Sequence, residues 1–185
     1  ERYLREFPLI DFMVFREGEF AFSHLLGLLM EREFDGEGVK WDRPDIPNTY
    51  YLKDDALVSG TANAPIKELD EIPSPYLTGL FDQLLADDKI TPLMQFVRGC
   101  PFKCTFCQEG EDYFNKVRRF SFDRVVKELR YIAERTNNPL LQLADSNFGM
   151  YEQDMGTCKV LRRIQDEYSW PFDIDVSTGK NKTKN

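Results

Sequence analysis

Apolar residues fall along this chain in three successive patterns. Residues 9–15, LIDFMVF, form a nearly continuous apolar run of buried-strand type. After Arg16-Glu17-Gly18-Glu19, the Leu-rich stretch FAFSHLLGLLMER reads as a helix. One strand and one helix cannot close a core by themselves, so residues 1–33 read as the C-terminal remnant of an α/β domain. Residues 34–90 are rich in Pro, Gly and Asp and read as a linker. Within it, TYYLKDDALVSG predicts a hairpin. ELDEIPSPYLTGLFDQLLADD predicts a Pro-punctuated turn and a short amphipathic helix with Leu77, Leu80, Phe81 and Leu84 on one side.

The third pattern, residues 91–185, is the most regular. LMQFV (93–97) predicts a strand that runs directly into a cysteine-bearing loop. In SFDRVVKELRYIAERTNNP, Ser121 is a good N-cap, and Phe122, Val125, Val126, Leu129, Ile132 and Ala133 share one face at helical spacing. Asn137, Asn138 and Pro139 stop this helix. LLQLA (140–144) then predicts a strand, DSNFG a loop, roughly Gln153 to Tyr168 a second helix, and FDIDVS (172–177) a third strand. Strands alternating with helices in this order predict an α/β fold with a parallel sheet and right-handed crossovers. Ligands of such sheets gather at the carboxyl ends of the strands, where both the cysteine loop and DSNFG fall. The polar, basic end STGKNKTKN predicts a frayed terminus.

Composition narrows the setting. The 185 residues are 42% hydrophobic, enough for one sizeable core or one core plus part of another. Twenty-four basic residues against 32 acidic ones leave a net charge of −8, which disfavours nucleic acid as a partner. No apolar run approaches the roughly 20 residues of a membrane span, and the N-terminus lacks the pattern of a secretory signal. The expectation is a soluble, cytoplasmic protein with no membrane partner. Three of the four cysteines lie within RGCPFKCTFCQEG (98–110), a spacing that suits metal ligation better than a disulfide framework.

Cys100, Cys104 and Cys107 make a C-x3-C-x2-C triad. Three thiolates on one short loop suit three irons of a 4Fe-4S cube, leaving the fourth iron open to a substrate or cofactor. Two alternatives stand beside this. A structural zinc site would need His24, Cys158 or a water as its fourth ligand. A simple electron carrier would use four cysteines. Cys158, flanked at helical spacing by Met155 and Leu161, is expected in the core of the second helix.

CPFKCTFC, after a strand and before a helix, resembles the signature loop of the radical S-adenosylmethionine enzymes. The resemblance implies that Cys100, Cys104 and Cys107 hold a 4Fe-4S cluster. Its open iron would chelate the amino and carboxylate groups of S-adenosylmethionine, whose reductive cleavage gives a 5'-deoxyadenosyl radical. It further implies that Phe106 packs near the adenine. The family's usual Gly-Gly-Glu-like stretch after the second strand is replaced here by Ala144-Asp145-Ser146-Asn147-Phe148-Gly149. Asp145 would then supply the negative charge, and Ser146 or Asn147 the hydrogen bonds, for the methionine amino group. Asp145 and Ser146 could equally cap the next helix.

An Asp-x-x-Phe stretch at this position, FREGE (15–19) and LDEIPSP (69–75) are similar to the subset of the family that carries a cobalamin-binding domain ahead of the barrel. The resemblance implies the remnant of that domain over 1–33, the linker over 34–90, and the first half of a partial (β/α) barrel over 91–185. In such a barrel Asp173, Asp175 and Ser177 would face the lumen; in an edge strand they would be solvated. No Asp-x-His-x-x-Gly segment is present and His24 lies on the Leu-rich helix, so cobalamin is expected only in a longer parent protein. The implied partners are an unidentified small organic substrate and an electron donor such as flavodoxin or ferredoxin. The implied reaction is methyl or methylthio transfer or a rearrangement, with no turnover of substrate expected from the chain by itself.

Overall fold

The computed structural model describes residues 1–42 and 44–179, and the terminal residues 180–185 of the expected frayed end lie outside the described residues. The chain divides into two compact units, Glu1–Ile66 and residues from Lys67 onward.

In the first unit, α1 (Arg2–Glu6) leads to β1 (Met13–Val14), α2 (Glu19–Glu31), α3 (Gly36–Asp42) and the hairpin β2 (Thr49–Lys53) and β3 (Ala56–Ser59). Asp54 and Asp55 both take positive φ, as a two-residue hairpin turn requires. The expected strand over 9–15 shortens to two residues. It pairs antiparallel with β2, Met13 opposite Tyr50 and Val14 opposite Thr49, while Leu9 is almost fully exposed. The run LIDFMVF is therefore no buried strand: only the part that faces the hairpin gains a ladder, and Phe12 and Val14 pack on a small core of Leu25, Val39, Ile46 and Tyr51. α2 buries Ala21 and Leu25 and leaves Phe22 and Met30 in solvent. His24 is exposed on the same helix.

The second unit opens with a 3-10 turn, Leu69–Glu71, and continues through α4 (Asp82–Leu85), β4 (Leu93–Met94), β5 (Val97–Arg98), β6 (Arg118–Arg119), α5 (Phe122–Ala133), β7 (Leu140–Phe148), α6 (Glu152–Tyr168) and β8 (Asp173–Thr178). A three-stranded parallel sheet runs in the order β4-β7-β8, as the strand-helix alternation predicts. Its core holds Met94, Leu129, Ile132, Leu141, Leu143, Leu161, Ile164 and Trp170. The Trp170 indole N–H donates to the Asn138 carbonyl at 2.9 Å.

Ser121 caps α5 as expected, accepting the Arg124 N–H at 3.2 Å, and Val125, Leu129 and Ile132 form the buried stripe. Phe122 stays half-exposed. LDEIPSP is stapled to this helix start. The Asp70 carboxylate accepts the Ser121 N–H at 3.0 Å, and the Arg124 guanidinium donates to the Ile72 carbonyl.

The short α4 buries a different face from the one expected. Leu85 and Tyr76 are buried and Phe81 is partly so, whereas Leu77, Leu80 and Leu84 face solvent. With only one helical turn, the α periodicity that selected Leu77, Leu80 and Leu84 does not apply.

Candidate functional site

The predicted strand over 93–97 breaks at Gln95-Phe96. β4 belongs to the parallel sheet, and β5 turns away to pair antiparallel with β6, Val97 opposite Arg119 and Arg98 opposite Arg118. The cysteine loop is thus a closed excursion whose neck is this small ladder, extended by a bond from the Phe120 N–H to the Phe96 carbonyl at 3.1 Å. Gly99 takes φ +94°, and a Cβ there would lie 2.5 Å from the Lys116 carbonyl oxygen and 2.7 Å from that of Phe114. Only glycine fits this close approach. Next to it the Cys100 N–H donates to the Phe114 carbonyl at 2.9 Å. Farther out, the Cys107 N–H donates to the Cys104 carbonyl at 3.1 Å, and the Gly110 N–H to that of Cys107 at 2.9 Å.

The seven residues that the resemblance assigns to the cluster and S-adenosylmethionine line one cavity of about 470 Å³: Cys100, Cys104, Phe106, Cys107, Asp145, Ser146 and Asn147. That volume lies within the range of small-molecule sites. Gln142, Leu143 and Ala144 of β7, and Ser177 and Thr178 at the end of β8, complete much of the wall. The cavity therefore sits at the carboxyl ends of the parallel strands. None of the three cysteines is in a disulfide, and Cys100 is buried, Cys104 half-buried and Cys107 exposed. Among the described residues no three Cys, His, Asp or Glu side chains are gathered as ligands of one metal ion. The Phe106 ring is 90% exposed beside the cavity.

DSNFG is not a loop: β7 continues to Phe148, with an irregularity between Leu143 and Phe148 before pairing resumes opposite Thr178. The reason is Asp145. Its Oδ1 accepts the N–H groups of Phe96 at 2.7 Å and Val97 at 3.0 Å, so the carboxylate continues across the gap where β5 leaves the sheet. Asp145 is 2% exposed, and burial pushes its pKa up to about 6 against the pull of those two N–H groups, with the Asp154 charge adding to the rise and Arg119 opposing it. Its Oδ2 and the Asn147 Nδ2 are buried with no hydrogen-bond partner among the described residues. The helix-cap alternative for Asp145 does not occur. Asp154 takes that place, accepting the N–H of Gly149 and of Tyr151 at 3.0 Å each and pairing with Arg119 at 3.0 Å.

Ser177 lines the cavity, while Asp173 and Asp175 are exposed and outside it. Cys158 is exposed, not in the core. The buried stripe of α6 runs Asp154, Thr157, Leu161 and Ile164, one position round from Cys158. Sequence reasoning missed Arg119, Tyr151 and Asp154. Their one signal is the acidic residue three positions after Tyr151, a spacing that suits a carboxylate closing the start of a helix.

A cavity at the carboxyl ends of parallel strands, bordered by a cysteine loop, is where α/β folds gather their ligands, and comparison with known proteins narrows the class. No protein-family model matches the chain. The cobalamin-dependent radical SAM methyltransferase TokK of Streptomyces tokunonensis is 27% identical over 97% of this chain and 26% of its own length. The 2-(S-pantetheinyl)-carbapenam-3-carboxylate methyltransferase of Streptantibioticus cattleyicolor is 30% identical over 94% of this chain and 25% of its own. Among solved structures, the cobalamin-dependent S-adenosylmethionine radical enzyme OxsB shares the fold with a TM-score of 0.59 at 19% identity, over 88% of this chain and 22% of that one. The radical S-adenosylmethionine methyltransferase TsrM of Kitasatospora setae does so with a TM-score of 0.54 at 15% identity, over 89% of this chain and 30% of that one. The chain is similar along nearly its whole length to proteins described as cobalamin-dependent radical S-adenosylmethionine methyltransferases, and it spans about a quarter of the length of these two curated relatives.

Proposed function

We propose that this chain is the cluster-bearing part of a radical S-adenosylmethionine enzyme, with Cys100, Cys104 and Cys107 as the ligands of a 4Fe-4S cluster. The observation that carries this reading is that all three thiols open onto the same cavity as Asp145, Ser146 and Asn147. Cube ligands bind three different irons, so they need not converge on one point as the ligands of a single ion do. When bound, the cluster supplies the electron that cleaves the sulfonium of S-adenosylmethionine.

The chain's own residues bind and orient. The unpartnered Asp145 Oδ2 is the acceptor for the methionine ammonium, and Ser146 and Asn147 offer polar contacts beside it. The exposed Phe106 ring offers a flat face for the adenine. By analogy with the named relatives, the whole protein transfers a methyl group to a small organic substrate with cobalamin bound outside this chain. It takes electrons from a flavodoxin or ferredoxin in the cytoplasm, where thiols stay reduced. No helix among the described residues is long and apolar enough to cross a membrane.

Anaerobic reconstitution tests the proposal. About four irons and four sulfides per chain are expected, lost in Cys104→Ser. Equal iron in variant and parent would refute the assignment.

A further inference from the structure

Asp145 and Asn147 stand two residues apart on β7, about 7 Å along a strand, and both line the cavity. Each carries one buried polar atom with no hydrogen-bond partner among the described residues, and the two atoms are of opposite kind: Asp145 Oδ2 accepts and Asn147 Nδ2 donates. Neither side chain is loosely placed. Asp145 Oδ1 is held by the N–H groups of Phe96 and Val97 at 2.7 and 3.0 Å, which fixes the direction of Oδ2. The Asn147 carbonyl accepts the Met150 N–H at 3.2 Å, and its side-chain Oδ1 lies 3.5 Å from where a Cβ on Gly179 would stand, so the amide is lodged against the end of β8. The terminal torsion of an Asn side chain is broad, and a small turn brings Nδ2 to the cavity. A donor and an acceptor both left unmade in a buried place call for an explanation.

The rest of the wall narrows that explanation. Among the described residues lining the cavity there is no Lys, Arg or His, while Glu109 and Asp145 are acidic. A carboxylate entering here is therefore received by neutral donors, and Asn147 Nδ2 is the side-chain donor of that wall that is buried and unmade. A hydrogen bond from a neutral donor to a carboxylate is charge-assisted and needs no counter-ion. An acceptor and a donor at this spacing match the amine and the carboxylate that share one carbon in an α-amino acid.

We infer that Asn147 Nδ2 donates to the α-carboxylate of the methionine half of S-adenosylmethionine and makes the site selective for ligands that keep this group. The inference rests on the function proposed above, with Asp145 as the partner of the amine, and goes beyond it by giving Asn147 a separate group to read. A carboxylate has about four lone-pair sites, so it accepts this bond while also ligating iron.

The test is binding, read by anaerobic isothermal titration calorimetry on the reconstituted full chain. Two probes are compared: S-adenosylmethionine, and its decarboxylated analogue, which keeps the sulfonium, the adenosine and the amine. Asn147→Ala should weaken S-adenosylmethionine about tenfold or more and change the analogue by less than about twofold. Asn147→Asp, nearly the same size, sets a like charge against the carboxylate; it should weaken S-adenosylmethionine further without weakening the analogue. Comparing two ligands across parent and variant removes the share due to iron chelation, which is common to both proteins. Equal weakening of the two probes in Asn147→Ala would mean that the residue only shapes the pocket, and overturns the inference, as does no change in either. Should Asn147→Ala fail to fold, Asn147→Asp decides: a loss confined to S-adenosylmethionine supports the inference, and an equal loss or none overturns it. The two levels fail differently. A parent that loads no iron, or loads it and binds no S-adenosylmethionine, refutes the proposed function and this inference with it. A parent that binds S-adenosylmethionine with the same preference over the analogue as its Asn147 variants refutes the inference alone.

Discussion

The backbone N–H of Val97 donates to Asp145 Oδ1 at 3.0 Å, across 48 residues of sequence, and the neighbouring N–H of Phe96 shares that oxygen. One carboxylate therefore joins the strand that enters the cysteine loop to the strand whose end lines the cavity. Asp145→Ala would leave two buried N–H groups unsatisfied, at about 1–3 kcal/mol each. We expect that variant to lower the urea midpoint clearly.

Asp145 also fixes the sign of a pH effect. Its pKa is raised from 3.8 to about 6, chiefly by burial, so the folded chain holds this proton more tightly than the unfolded one. The stability it contributes is fully present below about pH 4 and is lost as pH rises through about 6, up to about 3 kcal/mol. Asp145→Asn keeps an oxygen acceptor and removes the charge. Its stability relative to the parent should rise between pH 4 and pH 7, read from urea unfolding at each pH. A parent-to-variant difference that does not change over that range would contradict the assignment.

The exposed and buried leucines of α4 give a paired test. Leu85 is 2% exposed and Leu80 73%. Leu85→Ala should cost about 2–5 kcal/mol, through lost burial and the cavity left behind. Leu80→Ala should stay within about 0.5 kcal/mol. The reverse order would restore the helical face that the sequence suggests.

Cys158→Ala should change neither iron content nor stability beyond about 0.5 kcal/mol, because its side chain faces solvent beside the buried stripe of α6. Loss of iron in this variant would argue for a fourth cysteine ligand.

The long elements were legible because their signals are local and repeated. The helix faces around Leu129 and the parallel strands around Leu141 and Ile174 follow from period and order alone. The cysteine triad was legible for the same reason, as a spacing. What failed depends on contacts distant in sequence. The break after Met94 and the extension of β7 through Asn147 both follow from Asp145 meeting Phe96 and Val97, which no window of sequence contains. The two-residue strand Arg118–Arg119 has no hydrophobic pattern of its own and exists because it closes the neck of the loop. Arg119, Asp154 and Tyr151 form a site only through that closure.

Gly99 is where that closure should be most sensitive. It combines φ +94°, which strains any residue with a side chain, with carbonyl oxygens of Lys116 and Phe114 at 2.5 and 2.7 Å from where a Cβ would stand. Both oxygens belong to backbone, and that of Phe114 accepts the Cys100 N–H, so neither can yield without opening the neck. Gly99→Ala would add about 1–3 kcal/mol of backbone strain and a steric cost of similar size. The parallel sheet does not pass through Gly99, and β4, β7 and β8 should persist, so the damage should stay within the loop. We expect the far-UV circular dichroism to be retained, hydrogen exchange at the amides of Cys100 and Phe120, which donate to Phe114 and Phe96, to accelerate, and iron uptake on anaerobic reconstitution to fall. If exchange at those amides is unchanged, the neck does not hold the loop. If exchange accelerates while iron uptake stays whole, the neck is formed but the cysteines do not depend on it, and cluster assembly would have to be directed by the residues 104–110 alone.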